Sequence, residues 1–168
     1  HATDVGDVSL SELGAESITF SYNLDGTTGS ETLARLGAGG GCAVYNGQPL
    51  DASGHWYSPS LPGFGYSYQT IGGDSPQEVF VPYVYDASGF PRWVYGQRGF
   101  DGGAAAIALQ WFDGFCPTCP VASLVPTAAG TGTRSLVTNG ISAMATNLAF
   151  SGPLSGNWSQ SRPVALLS

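Results

Sequence analysis

The feature that most constrains the fold of this chain is an alternation of apolar and polar residues with a period of two. The segment 17-SITFSYNL-24 places its four apolar residues on one side of an extended chain and small polar residues on the other. The same period recurs in 142-SAMATNLAF-150 and 104-AAAIALQWF-112. This pattern predicts β-strands that are buried on one face.

Turn signals separate these segments at intervals of about 8–12 residues, which is typical of an antiparallel sandwich or barrel. The best helical window, 27–39, ends in glycines after about two turns. We therefore predict an all-β protein, an antiparallel sandwich or barrel with essentially no helix. The predicted strands, about ten in number, are 7–13, 17–24, 29–36, 64–71, 78–86, 92–99, 103–112, 131–138, 142–150 and 155–165.

Two of these strands belong to a predicted hairpin around the loop 86-DASGFP-91, which has Asp at its start and Gly near its end. Both 79–86 and 92–99 are apolar on their two faces, a pattern that predicts cover on both sides. Pro82 lies within the first of them and indicates an edge strand or a bulge, because proline cannot donate a ladder hydrogen bond.

The charge of the chain excludes some classes of partner. It has five arginines, no lysine and 12 acidic residues, for a net charge of −7. Nucleic acids and anionic membrane surfaces are bound mainly through basic side chains, so neither is expected as a partner. The sequence contains no run of 18 apolar residues that could span a bilayer. Few charges and many small polar residues favour a secreted or cell-surface protein, extracellular or periplasmic.

An internal echo predicts the domain organisation. Two sets of residues follow the same outer spacing, and the middle spacing differs by three residues: Gly6, Leu10, Gly14, Gly29 and Arg35 in the first, Gly132, Leu136, Gly140, Gly156 and Arg162 in the second. We interpret residues 1–42 as the three-strand tail of a preceding repeat unit, packed on the next, and 43–168 as a complete seven-strand unit. The chain is then expected to be a piece of a larger exported protein.

Three segments carry a resemblance to a known family: 53-SGHWYSPSLPGFGYS-67, 83-YVYDASGFPRWVYGQRG-99 and 152-GPLSGNW-158. Over about residues 50–165 the chain resembles a largely uncharacterised secreted β-domain of proteobacteria, with the motifs SGxWYxPxxxGxGf and YDxxGxPxW. The resemblance implies an exported β-domain that often occurs in tandem or beside a catalytic domain. It implies no catalytic residue.

Aromatic side chains supply the candidate binding residues. Tyr66 and Tyr68 share one face of their strand, Trp93 and Tyr95 share another, and Trp111 lies on a third strand. These five could fill the core of the protein, or they could form a platform on which sugar rings stack. We therefore expect a non-catalytic structural or interaction module whose partner is another domain of the same exported protein. The alternative is a module that binds polysaccharide through an aromatic sheet face.

The cysteines leave several readings open. Cys116 and Cys119 lie two residues apart in 116-CPTCP-120, and a local disulfide is the interpretation that suits a secreted chain. A zinc site, a redox motif and two free thiols are the alternatives. Cys42 is the odd residue.

Catalytic chemistry finds little support in the sequence. The only histidines are His1 and His55, and no G-x-S-x-G elbow or pair of catalytic carboxylates is evident. A copper-dependent oxidative enzyme could use His1 and His55 as metal ligands if His1 were the native N-terminus, but we expect His1 to be the remnant of a purification tag. We therefore predict no catalytic residue, no metal and no cofactor. In the strand entry 54-GHWYSP-59, we predict that Trp56 is buried, packed against the hairpin 79–99, and that His55 points to solvent.

Overall fold

A computed structural model describes residues 3–35, 42–61, 63–113, 124–138, 140–151 and 155–167. All regular secondary structure in these ranges is β-strand, arranged in antiparallel sheets, which confirms the predicted fold class. The same ranges contain no helix long and apolar enough to cross a membrane. The fifteen strands of the described residues are β1 (Gly6–Gly14), β2 (Ser17–Leu24), β3 (Thr27–Ala34), β4 (Ala43–Tyr45), β5 (Gln48–Leu50), β6 (Gly54–Tyr57), β7 (Gly65–Ile71), β8 (Gln77–Tyr85), β9 (Pro91–Trp93), β10 (Gly96–Gly99), β11 (Ile107–Asp113), β12 (Val125–Val137), β13 (Gly140–Phe150), β14 (Gly156–Pro163) and β15 (Ala165–Leu166).

The chain divides into two compact units, of which the first contains β1–β3 and the second contains β4–β15. The first is an antiparallel meander in the order β1-β2-β3. Its last strand occupies most of the window with the strongest helical pattern, because every residue of β3 pairs with β2, from Thr27 opposite Leu24 to Ala34 opposite Ser17.

The second unit is built from two larger sheets and a short β4–β5 hairpin. One sheet has the order β10-β8-β7-β6-β15, with β9 also paired to β8, and the other has the order β11-β12-β13-β14. On one side, backbone hydrogen bonds join Tyr95 to Gln110 across the sheets; on the other, the chain passes from β14 to β15. The described strands do not form one continuous closed barrel, so a sandwich is the better description.

The core of this sandwich is made by side chains from the inner faces of both sheets. Tyr66 and Phe80 stack with ring centroids 5.2 Å apart, and Gln160 on β14 donates a hydrogen bond of 2.5 Å to the Tyr66 hydroxyl. The buried apolar residues of this core include Trp56, Tyr66, Tyr68, Phe80, Val84, Val94, Ile107, Leu109, Trp111, Ala129, Ile141, Met144 and Leu148. Their burial is the main favourable contribution to folding.

Pro82 explains a difference from the predicted strands. It lies within β8, between β7 and the β9–β10 side, and it is neither at an edge nor in a bulge. Its carbonyl accepts a hydrogen bond from Val94, but it has no N–H to donate in return. The predicted strand 92–99 is therefore interrupted and becomes β9 and β10. The expected strand total is also low because strands of two to four residues are too short to show a period.

The loop between β8 and β9 is held by the carboxylate of Asp86. Its Oδ1 accepts hydrogen bonds from the backbone N–H of Ser88 at 2.9 Å and of Phe90 at 3.0 Å, and its Oδ2 is 2.9 Å from a guanidinium nitrogen of Arg92. Gly89 has a φ of 80°, which glycine adopts without strain. The Asp and Gly of the motif YDxxGxPxW are thus accounted for by the hairpin turn.

We expect the carboxylates of Asp86 and Asp101 to make stability fall at acid pH. Burial acts to raise the pKa of Asp86, but the Phe90 N–H and the Arg92 guanidinium outweigh it, and the pKa lies below its ordinary value. The Gly103 N–H lowers the pKa of Asp101. The unfolded chain therefore binds protons first, so this stabilisation is present above a pH of about 4 and is lost as the pH falls below it.

The measurement is the melting temperature from pH 6 to pH 3. In the double variant Asp86→Asn/Asp101→Asn, melting should begin at a lower temperature at pH 6 and should decline less steeply on acidification than in the unaltered protein. An equally steep decline would contradict this assignment.

Candidate functional site

The five aromatic residues proposed as a platform do not share one surface, because three of them point into the core and two point outward. Tyr66, Tyr68 and Trp111 are buried in the core, so they cannot present their rings to a polymer at the surface. Parity along the strand correctly puts Tyr66 and Tyr68 on one face, but that face is the inner one. Trp93 is 52% exposed and Tyr95 is half-buried, and both point away from the core.

A row of aromatic residues crosses the outer face of the six-stranded sheet. Tyr57 lies opposite Gly65, Gly65 lies opposite Tyr83, and Tyr83 lies opposite Trp93, so that four neighbouring strands contribute one position each. Neighbouring strands are about 4.8 Å apart, and Gly65 therefore leaves a gap between two tyrosines that are roughly 10 Å apart. The row is open to solvent at Tyr83, which is 44% exposed.

A shallow groove of about 300 Å³ lies at one end of this row, and Tyr83, Tyr85 and Trp93 contribute to its walls. Tyr85 is 58% exposed and follows Tyr83 on the same face of β8. The expectation that 79–86 and 92–99 are covered on both faces is therefore wrong at Tyr83, Tyr85 and Trp93, although Val79 on the same face of β8 is buried. Aromatic and β-branched side chains are favoured on strands whether or not a second layer covers them, so composition did not reveal the open face.

Phe112 extends the aromatic surface onto β11. Its ring centroid is 5.7 Å from that of Trp93 and 6.1 Å from that of Tyr95, with interplanar angles of 32° and 59°. The backbone pair between Tyr95 and Gln110 holds β11 beside this part of the sheet. Amide side chains are exposed at Gln110 and Gln97, and the Tyr95 hydroxyl donates a hydrogen bond to Gln97 Oε1. We call Tyr57, Tyr83, Tyr85, Trp93, Tyr95 and Phe112 the aromatic face.

Four members of the aromatic face, Tyr57, Tyr83, Tyr85 and Phe112, were not among the predicted site residues. A signal for one of them was present in the sequence: a turn centred on Ser88, between Asp86 and Phe90, places Tyr83 opposite Trp93, and residues opposite each other share a face. No comparable signal identifies Phe112, since its strand is brought to Trp93 only by the pairing of Tyr95 with Gln110.

A buried charged cluster lies on the inner side of the same sheet. The carboxylate of Glu78 is fully buried and accepts hydrogen bonds from Arg134 Nε at 2.8 Å, Arg134 Nη2 at 3.0 Å and Arg98 Nε at 2.6 Å. The Tyr68 hydroxyl donates to the same carboxylate at 2.6 Å. Burial, followed by this carboxylate, raises the pKa of Tyr68 well above its ordinary range. Glu78 is on β8 and Arg134 is on β12, so the cluster joins the two sheets.

This cluster has the properties of a structural ion pair. The Glu78 carboxylate accepts all four hydrogen bonds, two from Arg134 and one each from Arg98 and Tyr68. The remaining Arg134 nitrogen donates to the Gly103 carbonyl. Arg98 also bonds Asp101, at 2.7 Å. A buried charge of this kind destabilises the fold when one partner is lost, and full pairing leaves no group of the cluster free to act on a substrate.

Of the residues predicted as metal ligands or as a disulfide, only His55 lies within the described part of the chain. His55 is exposed on β6, opposite Ser67, and the described residues contain no group of three or more His, Cys, Asp or Glu side chains placed to hold a metal ion. His1, Cys116 and Cys119 lie outside the described residues, so the copper site and the disulfide stay predictions. Cys42 is exposed and, within the described part of the chain, forms no disulfide.

Comparison with known proteins found no similarity to draw on. No protein-family model matches the chain, and the searches of curated proteins and of solved structures each returned no match.

Proposed function

We propose that this protein is a non-catalytic module of an exported bacterial protein and that it binds a polysaccharide on the aromatic face. The observation that carries the proposal is the row in which Tyr57, Gly65, Tyr83 and Trp93 lie opposite one another across four strands. The export and the bacterial origin rest on the composition and on the family resemblance of residues 50–165.

The physical basis is the match between aromatic rings and sugar rings. The C–H groups of a pyranose pack against an aromatic face, and nearby amide side chains can bond its hydroxyls. Gln97 and Gln110 are exposed close to the rings and could supply such bonds. A strand spacing of about 4.8 Å repeats along the row, as the sugar units repeat along a polymer. The net charge of −7 favours a neutral polysaccharide over an acidic one.

The second candidate is that the aromatic face packs against another domain of the same exported protein. The exposure of Tyr83, Tyr85 and Trp93 favours this reading too, because exposed apolar patches of this kind also mark protein–protein interfaces. A soluble polysaccharide separates the two candidates, since only a glycan site responds to it.

The test is affinity electrophoresis in gels that contain neutral soluble glucans, xylan or mannan, followed by titration calorimetry with the polymer that retards the protein. Trp93→Ala and Tyr83→Ala should each weaken binding by about fivefold, because one stacked ring contributes roughly 1 kcal/mol. Phe90→Ala is the matched control: Phe90 is an exposed aromatic residue in the turn and is not part of the aromatic face.

Equal retardation of the Trp93→Ala variant and the unaltered protein would contradict the proposed site. If none of these polymers retarded the unaltered protein, glycan binding itself would be contradicted and the domain interface would be the better explanation.

A further inference from the structure

The meander β1–β3 and the last three strands of the second sheet, β12–β14, share an unusual local geometry. Gly6 has a φ of 137° and lies opposite Leu24; Gly130 has a φ of 131° and lies opposite Leu148. A Cβ atom on Gly6 would be 1.8 Å from the carbonyl oxygen of Asn23, and one on Gly130 would be 2.0 Å from that of Asn147. Each site therefore requires glycine, and each faces the dipeptide Asn-Leu.

These equivalences fix a register between the two meanders. Gly6 and Gly130, Asn23 and Asn147, and Leu24 and Leu148 are each 124 positions apart. The two meanders differ near their first turn, where the extra residue of the register shift is Leu13 on β1 in one and Ser142 on β13 in the other. The sequence echo detected the right pair of segments, but the offset in its alignment of Gly6 with Gly132 is two residues too large for the first strand. The offset in its alignment of Arg35 with Arg162 is four residues too small for the third strand, where Glu31 and Arg162 hold equivalent positions.

The face of β1–β3 that corresponds to the buried face of β12–β14 is largely apolar, with Glu12 and Glu31 as its two charged residues. In this register Leu10 corresponds to Arg134, and Phe20 corresponds to Met144. Arg134 and Met144 are buried in the second unit. Leu10 is 63% exposed, and the residues that share its face include Val8, Ile18, Phe20, Tyr22, Leu24 and Leu33. The opposite face carries mostly serine and threonine, as in the pair Ser21 and Ser30, whose hydroxyls are 3.0 Å apart. The meander has the amphipathic pattern of a sheet that is buried on one side.

One edge of the meander is also available. Within the described residues β1 pairs only with β2, whereas the equivalent strand β12 pairs with both β13 and β11. Among the described residues, no strand stands beside the meander in the place of β11 and no sheet covers it in the place of β6–β10. An apolar face and an unpaired edge strand are features that stable β-proteins cover.

We propose that β1–β3 completes a second sandwich, and that its partner is a sheet of the β6–β11 type from another unit of the same kind, joined in tandem. The partner's strand equivalent to β11 pairs with β1, and its inner aromatic face covers Leu10 and Phe20. Because Leu10 takes the place of Arg134, the partner has an uncharged residue where this chain has Glu78. A carboxylate there would lose its two bonds from Arg134. This proposal does not depend on glycan binding.

The experiment adds a partner sheet to the full chain. A copy of residues 43–126 is joined directly to Thr3, which preserves the register because Thr3 is 124 positions from Thr127. The copy carries Glu78→Gln. We expect it to resist limited proteolysis when the meander is unaltered and to be digested at least tenfold faster when the meander carries Leu10→Lys and Phe20→Lys. The control pair, Ser9→Lys and Thr19→Lys, lies on the other face and should leave the resistance unchanged.

A charge exchange guards against a variant meander that simply fails to fold. With Leu10 in place, the Glu78→Gln copy should resist proteolysis better than the copy that keeps Glu78. With Leu10→Arg, this preference should reverse. The proposal is overturned if the copy is digested equally in all fusions, if it resists proteolysis regardless of Leu10 and Phe20, or if Leu10→Arg does not reverse the preference.

Discussion

Replacing Arg134 by methionine is expected to lower the free energy of unfolding of the second unit by about 3 kcal/mol or more. The substitution removes both hydrogen bonds from Arg134 to Glu78, the bond to the Gly103 carbonyl and the contact over the Phe100 ring, 5.6 Å from its centroid. Glu78 is fully buried and keeps only Arg98 and Tyr68 as partners. The cost arises mainly from a carboxylate that remains in the core with too few donors.

Urea unfolding monitored by tryptophan fluorescence measures this loss. Arg92→Met is the matched control, since Arg92 pairs with Asp86 near the surface and such pairs contribute about 1 kcal/mol or less. The double variant Arg134→Met/Glu78→Gln should be more stable than Arg134→Met alone, because a neutral amide does not need a second guanidinium. A double variant that is as unstable as the single one would show that lost packing, and not the buried charge, dominates.

The ion pair of Glu78 and Arg134 also shows what the sequence could not predict. The two residues are 56 positions apart, and each lies in a segment with an ordinary strand pattern. The alternation of apolar and polar residues does not tell whether a glutamate near the start of a strand is exposed to solvent or covered by a second sheet. Their pairing depends on which strands face each other, and this is decided by the packing of the whole unit.

The strands themselves were largely predictable. The predicted segments 17–24 and 64–71 agree with β2 and β7 to within one residue, because their apolar side chains alternate strictly and turns bound them. The short strands β4, β5, β6 and β15 could not be predicted, since two to four residues carry no measurable period. A local disturbance at Pro82 could be predicted from the sequence. Its effect on the fold is the interruption between β9 and β10, at Val94, which faces Pro82 across the sheet.

The candidate site was only partly predictable for a related reason. Alternation groups side chains by face, but it does not say which face is inside when both are aromatic. In β7, Tyr66 and Tyr68 point inward and small or polar residues point outward, which is the ordinary arrangement. In β8, Tyr83 and Tyr85 point outward although Phe80 and Val84 already fill the core. An aromatic excess beyond what the core needs is therefore the more informative signal of an exposed aromatic face.

The last prediction concerns Trp56 and its neighbour His55, where alternation did decide the faces. Trp56 is buried and its indole Nε1 donates a hydrogen bond of 3.0 Å to the Ala52 carbonyl, whereas His55 is exposed. The ring was expected to pack against the hairpin 79–99. That contact stays a prediction, and the structure places the ring beside Gly140 at the start of β13, where a Cβ atom would be only 2.8 Å from Trp56 Cη2. Trp56 thus joins the first strand of one sheet to the other sheet.

We expect Trp56→Ala to lower the free energy of unfolding by about 3–5 kcal/mol, because it leaves a cavity between the sheets that the glycine opposite cannot fill. His55→Ala should change it by less than about 0.5 kcal/mol, since an exposed side chain loses few contacts. Urea unfolding of the two variants makes the comparison, and Trp56→Phe should fall between them because it keeps a ring but loses the bond to Ala52. Equal losses of stability in His55→Ala and Trp56→Ala would contradict this prediction and would mean that His55 has a partner outside the described residues. A copper titration would then be informative. Stabilisation by copper of the unaltered protein but not of His55→Ala would favour the copper site with His1.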